Sequence, residues 1–288
     1  MRSPTELRAG AEVASAGLPA LILSAERLAA SLTVGTHGKR RAGTGEDFWQ
    51  YRPATQGDTA RSIDWRRSAR SDGQFVRDRE AEVAQSAAIW VSSAAGMTYA
   101  GGAERPSKRD RADLLALSLA MALLNGGERV GLAGQPPRSG RIQADRIAES
   151  LFARAVLAED DDSPPPDALR QGNRLILLAD FLGDPEPILG VLEKAGGMGV
   201  QGVMLQVLDP DEEGFPYDGA VLFRSAGGSL SHDTRDAAGL RGEYLSRLAE
   251  RRELLSRAAL KAGWHFGMHD TASTPAQALL WLWSVLEG

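Results

Sequence analysis

The sequence contains no cysteine. That excludes disulfides, a thiolate nucleophile and any cysteine-ligated zinc or iron–sulfur centre, and it suits a reducing compartment. Long apolar runs are missing too. The longest near the N-terminus, residues 18–23, is cut off at once by Ser24, Glu26 and Arg27, too short for a membrane span and without the form of a signal peptide, so a cytoplasmic protein with no membrane partner is expected. There is no basic excess: 33 Lys and Arg stand against 38 Asp and Glu, a formal charge of −5, which argues against nucleic acid or a membrane surface as a general partner. No internal repeat and no G-x-S-x-G elbow occur. GTHGK at 35–39 is too short for a phosphate-binding loop and lacks the hydroxyl residue after Lys39. GMGVQG at 197–202 follows a helix and leads into a strand, the reverse of the dinucleotide-binding context. His265, His269 and Asp270 lie close together, but two imidazoles alone make an incomplete metal site.

What is present is an ordinary globular composition, 43% apolar over 288 residues, enough for one large domain or two small ones. Residues 5–33 read as one or two helices from Leu21, Ile22, Ala25, Leu28, Ala29 and Leu32. Residues 74–91 read as a long extended segment entering a sheet as its first central strand. Helices are expected at 109–125, where Leu114, Leu117, Met121 and Leu124 make one face, and at 142–157, through Ile142, Ile147, Leu151, Phe152 and Val156. Strands are expected at 129–133, 174–180, 200–208 and 263–268, with helices at 185–195, 234–261 and 275–288 and a small hairpin from 221–223 through Gly227 and Gly228. Residues 159–167 read as an exposed acidic, proline-rich connector. The alternation predicts an α/β fold, a doubly wound, mostly parallel sheet with helices on both faces. Ligands in such folds sit outside the carboxyl ends of the strands, which points to the segment after Val91, the loop after Leu132 and Asp180. Residues 99–106 and 209–217 are expected to be solvent-facing loops near those ends, where a partner could dock.

Residues 35–82 stand apart. They mix turn residues, paired charges and spaced aromatics without sustained periodicity, and read as a tied-down polar structure anchored by residues such as Phe48, Trp49, Tyr51, Trp65 and Phe75. Opposite charges are interleaved, so Arg52, Arg70 and Arg77 are expected to pair with Asp58, Asp64 and Glu82, since guanidinium forks match carboxylates. Trp65 beside Arg66 and Arg67 reads as a core or loop anchor rather than a base-stacking platform. Three parts follow: a helical segment at 1–34, this stretch at 35–82 packed on the main body, and an α/β domain at 83–288.

Within 35–82, GEDF at 45–48, YRP at 51–53, QGD at 56–58, R-x-x-DW at 61–65, SAR at 68–70 and V-R followed by E-x-E at 76–82 resemble the signature of the domain-of-unknown-function 58 family. The resemblance marks Glu46, Arg52, Asp58, Arg61, Asp64, Trp65, Arg70, Arg77 and Glu82 as interaction or structural residues. It implies a von Willebrand factor A-like fold and a partnership with a MoxR-type AAA ATPase that matures or remodels a client protein. A-domains hold magnesium on a D-x-S-x-S loop, because the ion wants hard oxygen ligands in octahedral array. Here the three places carry Ser92, Ala94 and Gly96, leaving Asp180 as a single carboxylate, so the site reads as degenerate, with no metal and no cofactor. The expected function is a non-enzymatic, metal-independent adaptor. The alternative is a hydrolase or nucleic-acid-processing enzyme using the Arg- and Asp-rich residues 46–82, with Asp58 and Asp64 as acid and base.

Overall fold

The structure, a computed structural model, describes residues 21–31, 39–43, 47–54, 63–70, 74–83, 86–157, 163–224 and 231–287. The chain divides into two compact units, Thr36–Gln85 and the remainder.

The smaller unit is an antiparallel sheet of three strands in the order β1-β3-β2, formed by β1 (Lys39–Gly43), β2 (Asp47–Pro53) and β3 (Phe75–Val83). The irregular pattern expected for this stretch therefore folds as strands, with a register shift between Phe48 and Gln50 of the kind a bulge makes. A single helical turn, α2 (Trp65–Ser68), follows Asp64, whose carboxylate accepts from the Arg67 amide at 3.0 Å. Ser68 Oγ ties the turn to β3 by accepting from the Phe75 amide at 2.9 Å. The Arg67 guanidinium lies 5.8 Å from the centre of the Phe75 ring.

The larger unit holds five strands, all parallel: β4 (Ser86–Val91), β5 (Arg129–Leu132), β6 (Asn173–Ala179), β7 (Gly202–Leu208) and β10 (His265–Asp270), ordered β10-β7-β6-β4-β5. The segment 74–91 expected as one strand is two, β3 in the small antiparallel sheet and β4 in this one. Composition separates them: β3 is FVRDREAEV, with charged residues at five of its nine positions, whereas β4 is SAAIWV, with every residue from Ala87 to Val91 buried, as a parallel sheet covered on both faces requires.

Helices cover both faces. One core joins residues 21–29 (α1), α3 (Lys108–Asn125), α4 (Ile142–Leu157) and α8 (Pro275–Glu287) to the sheet; the other joins α5 (Glu186–Met198) and α7 (Ala237–Lys261) to the opposite side. The expected alternation is thus a doubly wound α/β fold, consistent with a von Willebrand factor A-like arrangement. Ile89, Leu175, Ile176, Leu177 and Leu178 are fully buried, each contributing about 1.5–3 kcal/mol through loss of apolar surface to water.

α3 differs from its expected one-sided stripe. Leu115, Ala116, Leu119 and Ala120 are as buried as Leu117, because the helix packs against the sheet and against both α4 and α8, and its alanines let these neighbours approach. Ile142, expected in the face of α4, is 68% exposed at the helix start, while Ile147 and Leu151 are buried. The anticipated hairpin is β8 (Val221–Arg224) with β9 (Ser231–Thr234); Gly227 and Gly228 lie outside the described residues. Residues 209–217, expected as a loop, contain a capped helical turn, α6 (Pro210–Gly214).

Candidate functional site

The strand order reverses between β4 and β6, so the segments leaving these two strands diverge to opposite sides at the carboxyl edge of the sheet. Ser92, Ala94 and Gly96 follow β4, and Asp180 follows β6. Ser92 Oγ accepts from the Ala94 amide at 3.2 Å, folding the segment back on itself. Gly96 lets the backbone pass close to Asp180, since a β-carbon there would stand 3.1 Å from Asp180 Oδ2.

That carboxylate oxygen receives the ammonium of Lys108 at 2.7 Å, and the same nitrogen donates to Glu212 Oε1 at 2.7 Å. Lys108 is the first residue of α3, held there by a capping box in which Ser107 Oγ accepts from the Asp110 amide and the Asp110 carboxylate accepts from the Ser107 amide. Its side chain is 1% exposed. Such a cation is tolerable in the interior only with its charge matched, and here it faces two carboxylates. Asp180 Oδ1 accepts from the Leu182 amide, Glu212 Oε2 from the Asp209 amide, and burial pushes the Glu212 carboxyl up against the opposing pull of Lys108.

Asp209, fully buried, extends the network. Its carboxylate accepts from the amides of Asp211 and Gly101 and from the Thr271 hydroxyl, and pairs with Arg105 at 3.2 Å. Arg105 also donates to Asp211 at 2.8 Å, and the hydroxyls of Tyr99 and Tyr217 meet at 2.6 Å. A β-carbon at Gly101 would meet the side-chain ends of Asp211, Arg105 and Asp209, so any larger residue there would displace these groups. The two stretches expected as separate loops, 99–106 and 209–217, are therefore one cross-linked surface. Beneath it Phe215 stacks on Phe223 and packs against Tyr217 and Tyr244.

Among the described residues the non-glycine positive-φ positions are Phe181 at 52° and Phe215 at 45°, in the segments leaving β6 and β7. Left-handed backbone at a bulky residue costs about 1–3 kcal/mol and persists only where neighbours hold it. Arg251 does so for the first, donating to the carbonyls of Phe181 and Gly183.

At the far end of the edge, His269 Nε2 lies 2.7 Å from Arg111, whose guanidinium also donates to the carbonyls of Thr271 and Ser273. Burial, then the Arg111 charge, holds the His269 imidazole down at about 4, so it is neutral at physiological pH. Asp270 accepts from the amides of Ala272 and Ser273, shaping the turn into α8. On the other side of α3, Arg154 donates to Ser93 Oγ at 3.2 Å, and burial raises the Asp113 carboxyl to about 7.

The residues singled out from sequence fall in two places. Asp180, Ser92, Ala94 and Gly96 gather at the switch point. Asp64 caps α2, and Arg70 follows it, exposed. Trp65 is 57% exposed, not the anchor expected, because α2 is one turn long and presents its first residue outward. Arg52 faces Val76, Arg77 faces Tyr51 and Glu82 faces Arg40 across the ladders of β3. Glu46, Asp58 and Arg61 lie outside the described residues, and with Asp58 so does the pairing expected of it. Lys108, Glu212, Asp209, Arg105 and Arg111 were not singled out. A readable signal existed for two of them, since Asp209-Pro210-Asp211-Glu212 has the spacing of a capping box with proline at the first helical position.

These features define a doubly wound α/β protein whose strand-end site is a network of two cations, Lys108 and Arg105, among four carboxylates, Asp180, Asp209, Asp211 and Glu212. The chain belongs to the family described as "Protein of unknown function DUF58", whose model matches residues 50–254. Similar solved structures include an aerotolerance-related membrane protein from Bacteroides fragilis, with multiple mutations to serines, at 17% identity and TM-score 0.42, and the conserved hypothetical protein BatB from Bacteroides thetaiotaomicron, at 17% and 0.40. Each match covers 70% of this chain and 98% of the other. No curated protein matches the sequence. No helix among the described residues is long and apolar enough to cross a membrane.

Proposed function

We propose that this chain is a non-enzymatic, cytoplasmic adaptor that docks a MoxR-type AAA ATPase or its client through the carboxyl-end surface of the sheet, without a metal ion. The observation that carries the reading is the Lys108 ammonium set between Asp180 and Glu212. A hard divalent ion would need several oxygen ligands, whereas Ala94 and Gly96 offer no side-chain oxygen and both carboxylates already face a fixed cation. Lysine supplies the positive charge from within the chain, so the surface built by residues 99–106, 180–184 and 209–217 is preformed. Preorganisation of this kind favours binding by lowering the ordering cost at association.

The test is an affinity pull-down of the tagged chain from its native extract, with and without ATP and with EDTA, read by mass spectrometry. Enrichment of an AAA ATPase with the chain, dependent on nucleotide and retained after the chain alone has been stripped of metal, is the expected result. Recovery of a nucleic acid or a metabolite without any ATPase would contradict the proposal.

A further inference from the structure

Among the described side chains no aromatic is as exposed as Trp65, and no residue of α2 is buried. Tryptophan is ordinarily well covered, so a bare indole is informative where its backbone is fixed. Here it is fixed from both ends. The Asp64 amide donates to the Phe75 carbonyl at 2.8 Å, and Ser68 Oγ donates to the Asp64 carbonyl at 2.9 Å while accepting from the Phe75 amide. Ile63 makes an antiparallel bridge with Val76 of β3. An isolated turn of four residues would not hold its shape in water, whereas this one is bonded to a strand. Its outward side is therefore set before any partner arrives, which lowers the ordering cost of association.

The charge around the indole is mostly of one sign. Arg66, Arg67 and Arg70 are exposed, and Asp64 is the only acid from Ile63 to Arg70. Its carboxylate is engaged by the Arg67 amide, and no ion pair among the described residues holds Arg66 or Arg70. These two, four residues apart, follow each other on one side of the turn, with Trp65 next to the first. Tryptophan and arginine often dominate the energy of protein interfaces, and a guanidinium fork matches a carboxylate through two parallel hydrogen bonds. A nucleic-acid strand is the poorer match, because it binds through a run of phosphates. The basic side chains here end with one turn, beyond which β3 sets Asp78, Glu80 and Glu82 among its arginines in a chain of charge −5. A few carboxylates within one short protein segment suit that span.

We infer that the turn from Trp65 to Arg70 docks a short acidic segment of a partner protein. An apolar side chain of that segment packs on the Trp65 indole, and its flanking carboxylates take the Arg66 and Arg70 guanidiniums. The inference does not depend on the adaptor reading, whose surface belongs to the larger unit.

The experiment is a titration of the full chain with the blocked peptide acetyl-Glu-Asp-Leu-Asp-Glu-amide, followed by the indole N–H resonance of Trp65. Parallel titrations use the same peptide with glycine for leucine, its lysine counterpart acetyl-Lys-Lys-Leu-Lys-Lys-amide, and a decameric oligothymidylate. A saturable shift with the acidic leucine peptide is expected, weakening as salt is raised. Arg66→Glu combined with Arg70→Glu should weaken binding by at least about tenfold, and Trp65→Ala, read by calorimetry, should do the same. Both alter exposed side chains, so the melting temperature should stay unchanged. No saturable shift at Trp65, equal binding of the glycine or lysine peptide, unchanged affinity in either variant, or tighter binding of the oligonucleotide than of the acidic peptide would overturn the inference.

Discussion

Lys108 decides the character of the site, and its removal is costly in a specific way. Lys108→Met preserves much of the volume but strands Asp180 and Glu212 as buried carboxylates, so stability should fall by about 3–5 kcal/mol in chemical denaturation. Adding Asp180→Asn and Glu212→Gln should recover most of that loss. If the single and triple variants were equally unstable, packing rather than charge would be the cause. Two other residues give opposed pH dependences. His269 is depressed from 6.5 to about 4, so its contribution is complete above 6.5 and is lost as the pH falls toward 4. Asp113 is raised from 3.8 to about 7, so the native state holds its proton more tightly and stability falls as the pH climbs from about 4 to about 7. Melting curves should separate them: His269→Gln keeps an acceptor for Arg111 and flattens the acid limb, while Asp113→Asn raises the melting temperature more at pH 8 than at pH 5. Unchanged pH profiles in these variants would contradict the assignments.

At the scale of elements, the end of α3 that carries Lys108 depends on its cap. Ser107→Ala should cost about 1 kcal/mol. It should also broaden resonances of residues 99–106, because Lys108 and Arg105 follow the same backbone; an unchanged loop spectrum would show that the network holds itself without the cap. How much was legible beforehand follows from the same physics. β6 was readable as RLILLAD because a strand covered on both faces must be apolar throughout, and Asp180 was placed at its end for that reason. The stretch 35–82 hid its strands because β1 and β3 carry runs of consecutive charges with no period-two pattern, and the pairing with β2 shifts register between Phe48 and Gln50. Lys108 hid because a lysine at a helix start reads as a solvated charge until Asp180 and Glu212, 72 and 104 residues away, are known to face it. Sequence separation, not residue type, concealed the centre of the site.

At the scale of the molecule, two units share one chain, and the family model begins within the smaller and runs through most of the larger. The proposed docking surface belongs to the larger unit and is complete without a metal, which is the central claim. The most direct test is the affinity of the purified chain for a purified MoxR-type ATPase already loaded with nucleotide. The chain would be stripped with EDTA and desalted, or reloaded with magnesium, before mixing. The account predicts the same dissociation constant for both preparations and weaker binding for Lys108→Met. Binding seen only with the magnesium-loaded chain, or no binding in either state, would contradict it.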